Sequence, residues 1–282
     1  MAEARPRKRT SVIVRRVALS AATVVIVATV SVTAVFLFRG GRLFVVETPS
    51  MGNTAPIGSL VATTPVRWSH LHVGDVITFH PPTAPSQTYT HRIVSITLRG
   101  IQTRGDINGS TDGWVLHPAD LVGRAAVILP GVGWILLMMP WLLLGSSVMW
   151  WSARWVEDPE WRRAIRHTGV VAVAVLLVNH FRPLFRVTVL NFGSDAHGDW
   201  ARVVSDGVLP AVVHASGGAH VTLGYGDVAT IHVQPEGKHH IFTIAEHVAL
   251  PWWVFLLIGL LSVTPGVWSY IESRSRQEAT LS

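Results

Sequence analysis

The chain contains no cysteine, which excludes a disulfide framework, a thiolate zinc centre and a cysteine nucleophile. Charge is also scarce: 14% of residues are Asp, Glu, Lys or Arg, against about 25% in an ordinary soluble domain. Lysine is almost missing, with Lys8 and Lys238 the two in 282 residues, so chemistry that needs a buried amine has few candidates. Basic residues still outnumber acidic ones, for a formal net charge of +6. The arginines are diluted among apolar segments rather than gathered on one face, which argues against a soluble nucleic-acid binder. A mean hydropathy of +0.39 makes a membrane protein the expectation.

What is plentiful is apolar sequence. Residues 17–38 (VALSAATVVIVATVSVTAVFLF) run without a charge, long enough to cross a hydrocarbon core of ~30 Å at about 1.5 Å per residue. Residues 131–151 and 251–271 make two similar runs, and the span 168–186 holds a shorter one, 168–181, flanked by Arg166, His167 and Arg182, whose side chains must snorkel toward headgroups if it is to span. Four spans are therefore expected. The arginine-rich pieces, RPRKRTSVIVRR in the tail 1–16, RWVEDPEWRRAIR in the loop 152–167, and ESRSRQ in the tail 272–282, all fall on one side of such a topology, the cytoplasmic side by the positive-inside bias. Segments 39–130 and 187–250 then lie outside. No small-x-small cleavage site directly follows the first run, so it reads as an uncleaved anchor.

Both outer segments alternate short β-branched runs with Gly and Pro punctuation. In the first these are SLVATTPV, HVGDVITFHPP, YTHRIVSITL, IQTRGDI and LVGRAAVIL; in the second, FRVTVLNF, ARVVSDGVLPAVVHA, GAHVTLG, VATIHVQP and HHIFTIAEHV. Such runs predict strands. The expected fold class is α+β: a four-helix membrane protein with a β-rich outer domain at 39–130 and a second, smaller β domain at 187–250.

Just past the first span the chain reads VVETPSMGNTAPIGSLV, a polar, turn-rich stretch containing Ser50. A serine hydroxyl is a weak nucleophile unless a base lies within hydrogen-bond reach. Lys8 precedes the first span, across the membrane, and Lys238 belongs to the other outer segment, so a serine–lysine dyad within 39–130 is ruled out. Histidine remains, with an unperturbed pKa of about 6.5 suited to a general base. The segment holds His70, His72, His80, His91 and His117. His70 and His72 form an H-x-H pair of the kind that binds metal, without a third ligand nearby. His80 and His117 stand beside prolines in loop-like sequence. His91 lies in YTHRIVSI, the strongest strand signal, where a side chain can be held rigidly. An imidazole base needs an acceptor for its second nitrogen, and TRGDINGSTDGW offers Asp106 and Asp112, each also readable as a turn former.

Together, ETPSMGNTAPIGSLV, VGDVITFHPP, THRIVSI and TRGDIN followed by Asp112 resemble, in order and spacing, the successive boxes of type I signal peptidases. The resemblance is to the branch found in the endoplasmic reticulum, archaea and some Gram-positive bacteria, in which histidine replaces the bacterial lysine. It extends over residues 15–130 or so, under half the chain. It implies a β-rich peptidase domain in which Ser50 is the nucleophile and His91 the general base. Asp112 is favoured as the carboxylate that orients the histidine, with Asp106 supporting the loop, and the Thr48 hydroxyl and Ser50 N–H form the oxyanion hole. The implied substrates are exported preproteins whose signal peptides are embedded in the bilayer, with small residues at −1 and −3. No metal or organic cofactor is required. The implied place is the plasma membrane, multi-pass, with the catalytic domain outside, and a partner subunit or part of the secretion machinery stays open. Two features depart from the pattern. Ser59 stands where an acidic residue is usual, and Gly52, Asn53 and Thr54 replace a Glu-Pro pair, which puts specificity in question. The second outer domain lies beyond the resemblance, either presenting substrates or a partner or standing as an appendage. Alternatives are a catalytically silent envelope scaffold or another membrane-tethered serine peptidase. A transporter is disfavoured because the first, second and fourth spans carry no ionisable side chain.

Overall fold

The computed structural model describes residues 7–181, 184–233 and 244–248, with positions 252, 253, 256, 259 and 260. It combines helices and sheets. Helix α1 spans Arg7–Phe38, α2 Val132–Ser152 and α3 Pro159–Phe181. Among the described residues three helices are long and apolar enough to cross a membrane: Arg16–Phe38, Val132–Trp155 and Pro159–Phe181. In α1 the valines at 24, 30 and 32 are each more than 60% exposed, which in a helix apolar on every side is the pattern of one that meets lipid rather than a protein core. Of the expected run 251–271, Trp252, Trp253, Leu256, Gly259 and Leu260 are helical; its other positions and the tail 272–282 lie outside the described residues.

The third helix differs from expectation at its start. It begins at Pro159, so most of the anticipated loop 152–167 is helical. The physical reason is legible in DPEW: Asp158 Oδ1 accepts the amides of Glu160 at 2.7 Å and Trp161 at 3.2 Å, a side-chain N-cap followed by proline in the first helical position. Arg166 then lies over the Trp150 ring at 4.3 Å, so α2 accommodates a charge that hydropathy alone counts as a break.

Residues 42–129 form an antiparallel six-stranded sheet in the order β1-β2-β6-β3-β4-β5. The strands are β1 Arg42–Val45, β2 Leu60–Thr64, β3 Val76–Phe79, β4 Tyr89–Thr97, β5 Gly100–Arg104 and β6 Leu121–Leu129. Strands β2 to β6 fall on the runs singled out from sequence. The edge strand β1 was not anticipated, because RLFV continues the apolar texture of the preceding anchor. Leu71, Ile77, Phe79, Ile93, Ile101 and Leu116 make the core, with Trp68, Tyr89 and Trp114 packed on it. In β4 the period of two turns Tyr89, His91 and Ile93 to this core and Arg92 to the opposite face.

Beyond α3 lie two three-stranded sheets, ordered β11-β8-β7 and β10-β9-β12. Their strands are β7 Val187–Asp195, β8 Gly198–Ser205, β9 Ala211–Ala215, β10 His220–Leu223, β11 Val228–Val233 and β12 Ile244–Val248. Val203 of one sheet meets Val213 and Leu223 of the other, and Ala201, Ile231 and Val233 meet Ala215, so the sheets pack face to face.

Candidate active site

Three pieces of chain meet at one end of the six-stranded sheet. The first runs from the extended Thr48 (φ −124°, ψ 150°) into a 3₁₀ turn, Pro49–Thr54. Met51 is 1% exposed and plugs this turn into the body, which leaves Ser50 half-buried at the surface. The second is β4. The third is the loop after β5, residues 105–112, drawn against the first by the Ile107 amide donating to the Ser50 carbonyl at 3.0 Å. Gly105 makes this approach possible: a Cβ there would stand 2.7 Å from the Ser50 carbonyl oxygen and 2.9 Å from Ser50 Cβ. The glycine of TRGDIN is thus a spacing requirement set by the serine.

His91, 3% exposed, bridges the other two pieces. Its Nε2 lies 3.0 Å from Ser50 Oγ and its Nδ1 2.7 Å from Asp112 Oδ2. An ionised carboxylate only accepts hydrogen bonds, so Nδ1 carries the proton and the Nε2 lone pair faces the serine hydroxyl. The same Asp112 oxygen accepts from Thr103 Oγ1 at 2.6 Å, and the Asp112 amide donates to the Thr103 carbonyl at 2.9 Å. A fully buried β5 residue therefore fixes the carboxylate that holds the ring. The imidazole is further walled by Phe79 and Tyr89, with ring centroids at 6.2 and 5.7 Å in edge-on geometry. A hydroxyl, an imidazole with a free lone pair toward it and a buried carboxylate behind form a hydrogen-bonded chain that can withdraw a proton from Ser50 Oγ as that oxygen attacks an acyl carbon.

Asp106, the second candidate carboxylate, faces another way. Its oxygens take a two-pronged bond from Arg92, Nε at 2.8 Å and Nη2 at 2.6 Å, and a short one from Thr54 Oγ1. Arg92 also reaches Thr54 Oγ1 at 3.2 Å and the Gly74 carbonyl at 2.9 Å. Burial pushes the Asp106 carboxyl up, but the hydrogen bonds from Arg92 and Thr54 and the guanidinium charge outweigh it and hold the group below the usual carboxylate range. Asp106 thus ties the serine-bearing turn to β4 from the side opposite His91.

Thr48 Oγ1 is 3.4 Å from Ser50 Oγ. The remaining histidines of this unit are engaged elsewhere or exposed. His80 Nδ1 contacts the Gln87 carbonyl at 2.8 Å, His117 pairs loosely with Asp120 at 3.8 Å, and His70 and His72 are exposed. Among the described residues no group of three potential ligands is gathered for a metal; Lys238 lies outside them. Reading the sequence residue by residue missed Thr103, Arg92 and Thr54. Their signals were slight, two threonines and an arginine inside the quoted motifs with nothing to mark them as partners of the carboxylates.

Residues 15–107, a third of the chain, match the family model described as signal peptidase, peptidase S26. The match contains Thr48, Ser50, His91 and Asp106 and ends before Asp112. No curated protein matches the chain.

Proposed function

We propose that this protein is a membrane-bound serine endopeptidase that removes signal peptides from exported preproteins, with Ser50 as nucleophile and His91 as general base. It belongs, on this reading, to the signal-peptidase branch that uses histidine. The observation that carries the proposal is the position of His91, within hydrogen-bond distance of Ser50 Oγ on one nitrogen and Asp112 on the other. The signal-peptidase match over 15–107 supports the substrate class, and the apolar helices support attachment to the bilayer in which signal peptides lie.

On this reading the reaction is acyl transfer through Ser50. As Ser50 Oγ forms a bond to the scissile carbonyl carbon, its proton passes to His91 Nε2. Asp112 steadies the imidazolium through Nδ1–H without taking its proton. Negative charge on the former carbonyl oxygen is met by the Thr48 hydroxyl and the Ser50 amide, the latter one of the leading amides of a 3₁₀ turn that lack an internal acceptor. The tetrahedral intermediate collapses by breaking the C–N bond, and His91 Nε2 returns the proton to the departing amine, the new N-terminus of the mature protein. Water then attacks the acyl–serine ester with the same imidazole as base. Asp106 stays out of the proton path and supports the turn. With four spans, as the sequence leads us to expect, the segments 39–130 and 187–250 lie on the outer face, and the first span holds Ser50 near the plane where the substrate's own apolar segment ends, raising the local concentration of one for the other.

The test is cleavage of a preprotein by the purified full-length protein in detergent. Wild type should cut after small residues at −1 and −3. Ser50→Ala and His91→Ala should each lower turnover by roughly 10⁴-fold or more at unchanged protein yield. Turnover within about tenfold of wild type in His91→Ala would contradict a general-base role.

A further inference from the structure

The turn between β10 and β11, Gly224–Asp227, sits on the segment that carries Ser50. Asn53 Nδ2 donates to Asp227 Oδ1 at 2.8 Å, across 174 positions of sequence. The Tyr225 hydroxyl donates to the Ile57 carbonyl. Gly226, at φ +80°, lies so close that a Cβ would stand 2.8 Å from Pro56 Cγ and 2.9 Å from the Gly52 carbonyl oxygen. Three successive residues of the turn therefore each meet a different part of residues 52–57.

The turn is itself well braced. Asp227 Oδ2 accepts the Gly224 amide at 2.7 Å, the Gly226 amide donates to the Ser205 carbonyl at 2.8 Å and the Ser205 amide to the Asp227 carbonyl at 3.0 Å. Burial pushes the Tyr225 phenol above its ordinary value. Asn53, which meets Asp227, is one of the positions at which this stretch departs from the signal-peptidase boxes.

The Ser50 segment has little regular structure of its own to hold it, one 3₁₀ turn between β1 and β2. A displacement of about 1 Å in a reacting group can cost on the order of 10²-fold in rate, so its backbone needs bracing from both sides. Asp106 supplies one side through Thr54. We propose that the 224–227 turn supplies the other: Asp227 and Tyr225 are positioning residues that hold the Ser50 segment in register with His91, which makes the sheet pair at 187–248 a working part of the peptidase. This rests on the peptidase reading given above.

A reciprocal exchange tests it. In the double variant Asn53→Asp/Asp227→Asn, the side-chain amide introduced at position 227 donates to the carboxylate introduced at position 53. Its oxygen still accepts from the Gly224 amide, so both hydrogen bonds survive with one reversed in direction. Full-length wild type, Asp227→Ala, Asn53→Ala and the exchange variant would be compared by preprotein kinetics and by amide hydrogen exchange over residues 49–59. Asn53→Ala leaves the turn's own bonds intact and so guards against a turn that merely unfolds. Each single variant should lower kcat by about tenfold with KM within about twofold of wild type, and should speed exchange over 49–59 by about tenfold. The exchange variant should recover both to within about threefold. Single variants indistinguishable from wild type, or an exchange variant no better than Asp227→Ala, overturn the proposal. Should wild type itself cleave no preprotein, the peptidase reading fails, and hydrogen exchange alone decides this one by the same two outcomes.

Discussion

The two β-rich parts of the molecule bury polar groups in different ways. In the six-stranded sheet, His91 and Thr103 are buried but aimed, through Asp112 and Ser50, at a half-exposed hydroxyl. In the sheet pair at 187–248, Asp206 is equally buried, yet its carboxylate is turned inward to Thr188 Oγ1 at 2.6 Å. The former is a relay that ends at solvent, and the latter is a local tie. Burial of a titratable group does not by itself mark chemistry; the group at the far end of its hydrogen bonds does.

The largest expected effect within this comparison belongs to the relay. Asp112→Ala should lower kcat by roughly 10³–10⁴-fold while leaving the chain folded, because an unsupported imidazole loses both its tautomer and its orientation. Residual preprotein cleavage within about tenfold of wild type would reduce Asp112 to a turn former.

A smaller contrast comes from Asp106 and Asp206, whose pH responses should differ in sign. The Asp106 pKa is lowered in the fold, so its contribution to stability is present above the ordinary carboxylate value and is lost as pH falls through the depressed one. Asp106→Asn should therefore lower Tm at neutral pH by about 2–4 °C, with the deficit shrinking in acid. The Asp206 pKa is raised, burial being the main cause with Glu246 adding to it, against the Thr188 hydrogen bond and Arg186. Its ionisation costs stability above that raised value, and the cost is relieved as pH falls. Asp206→Asn should leave Tm unchanged or raise it at neutral pH, with the gap closing in acid. Thermal melts across pH 3–8 would separate the two, and parallel curves for both variants would remove the distinction drawn here.

Much of the architecture was legible because it rests on local signals. Strands β2 to β6 coincide with β-branched runs set between turn residues, and α2 and the part of α1 from residue 17 on with uncharged apolar stretches; α1 itself begins at Arg7, inside the expected tail 1–16. What escaped depended on neighbours that a linear reading does not reveal. The start of α3 is set by the Asp158 cap and by a tryptophan that accepts Arg166, and β1 merges with the anchor before it. At the candidate site, the scarcity of lysine pointed to histidine, and the resemblance to the signal-peptidase boxes singled out Ser50 and His91, while the choice between Asp106 and Asp112 stayed open on composition. The structure brings Asp112 to His91 and commits Asp106 to Arg92. Contact between Asn53 and Asp227 had no sequence signal at all, since nothing in either local motif points across so long a separation.

The central claim is that the Ser50 hydroxyl is activated by the His91 imidazole. Its most direct test is covalent labelling of the folded full-length protein by a serine-reactive phosphonate, with the modified peptide located by mass mapping. The account predicts an adduct on Ser50 in wild type, none at that peptide in Ser50→Ala, and labelling slowed by at least about 10²-fold in His91→Ala. Equal labelling rates in wild type and His91→Ala, or an adduct that forms on another serine and leaves Ser50 untouched, would contradict it.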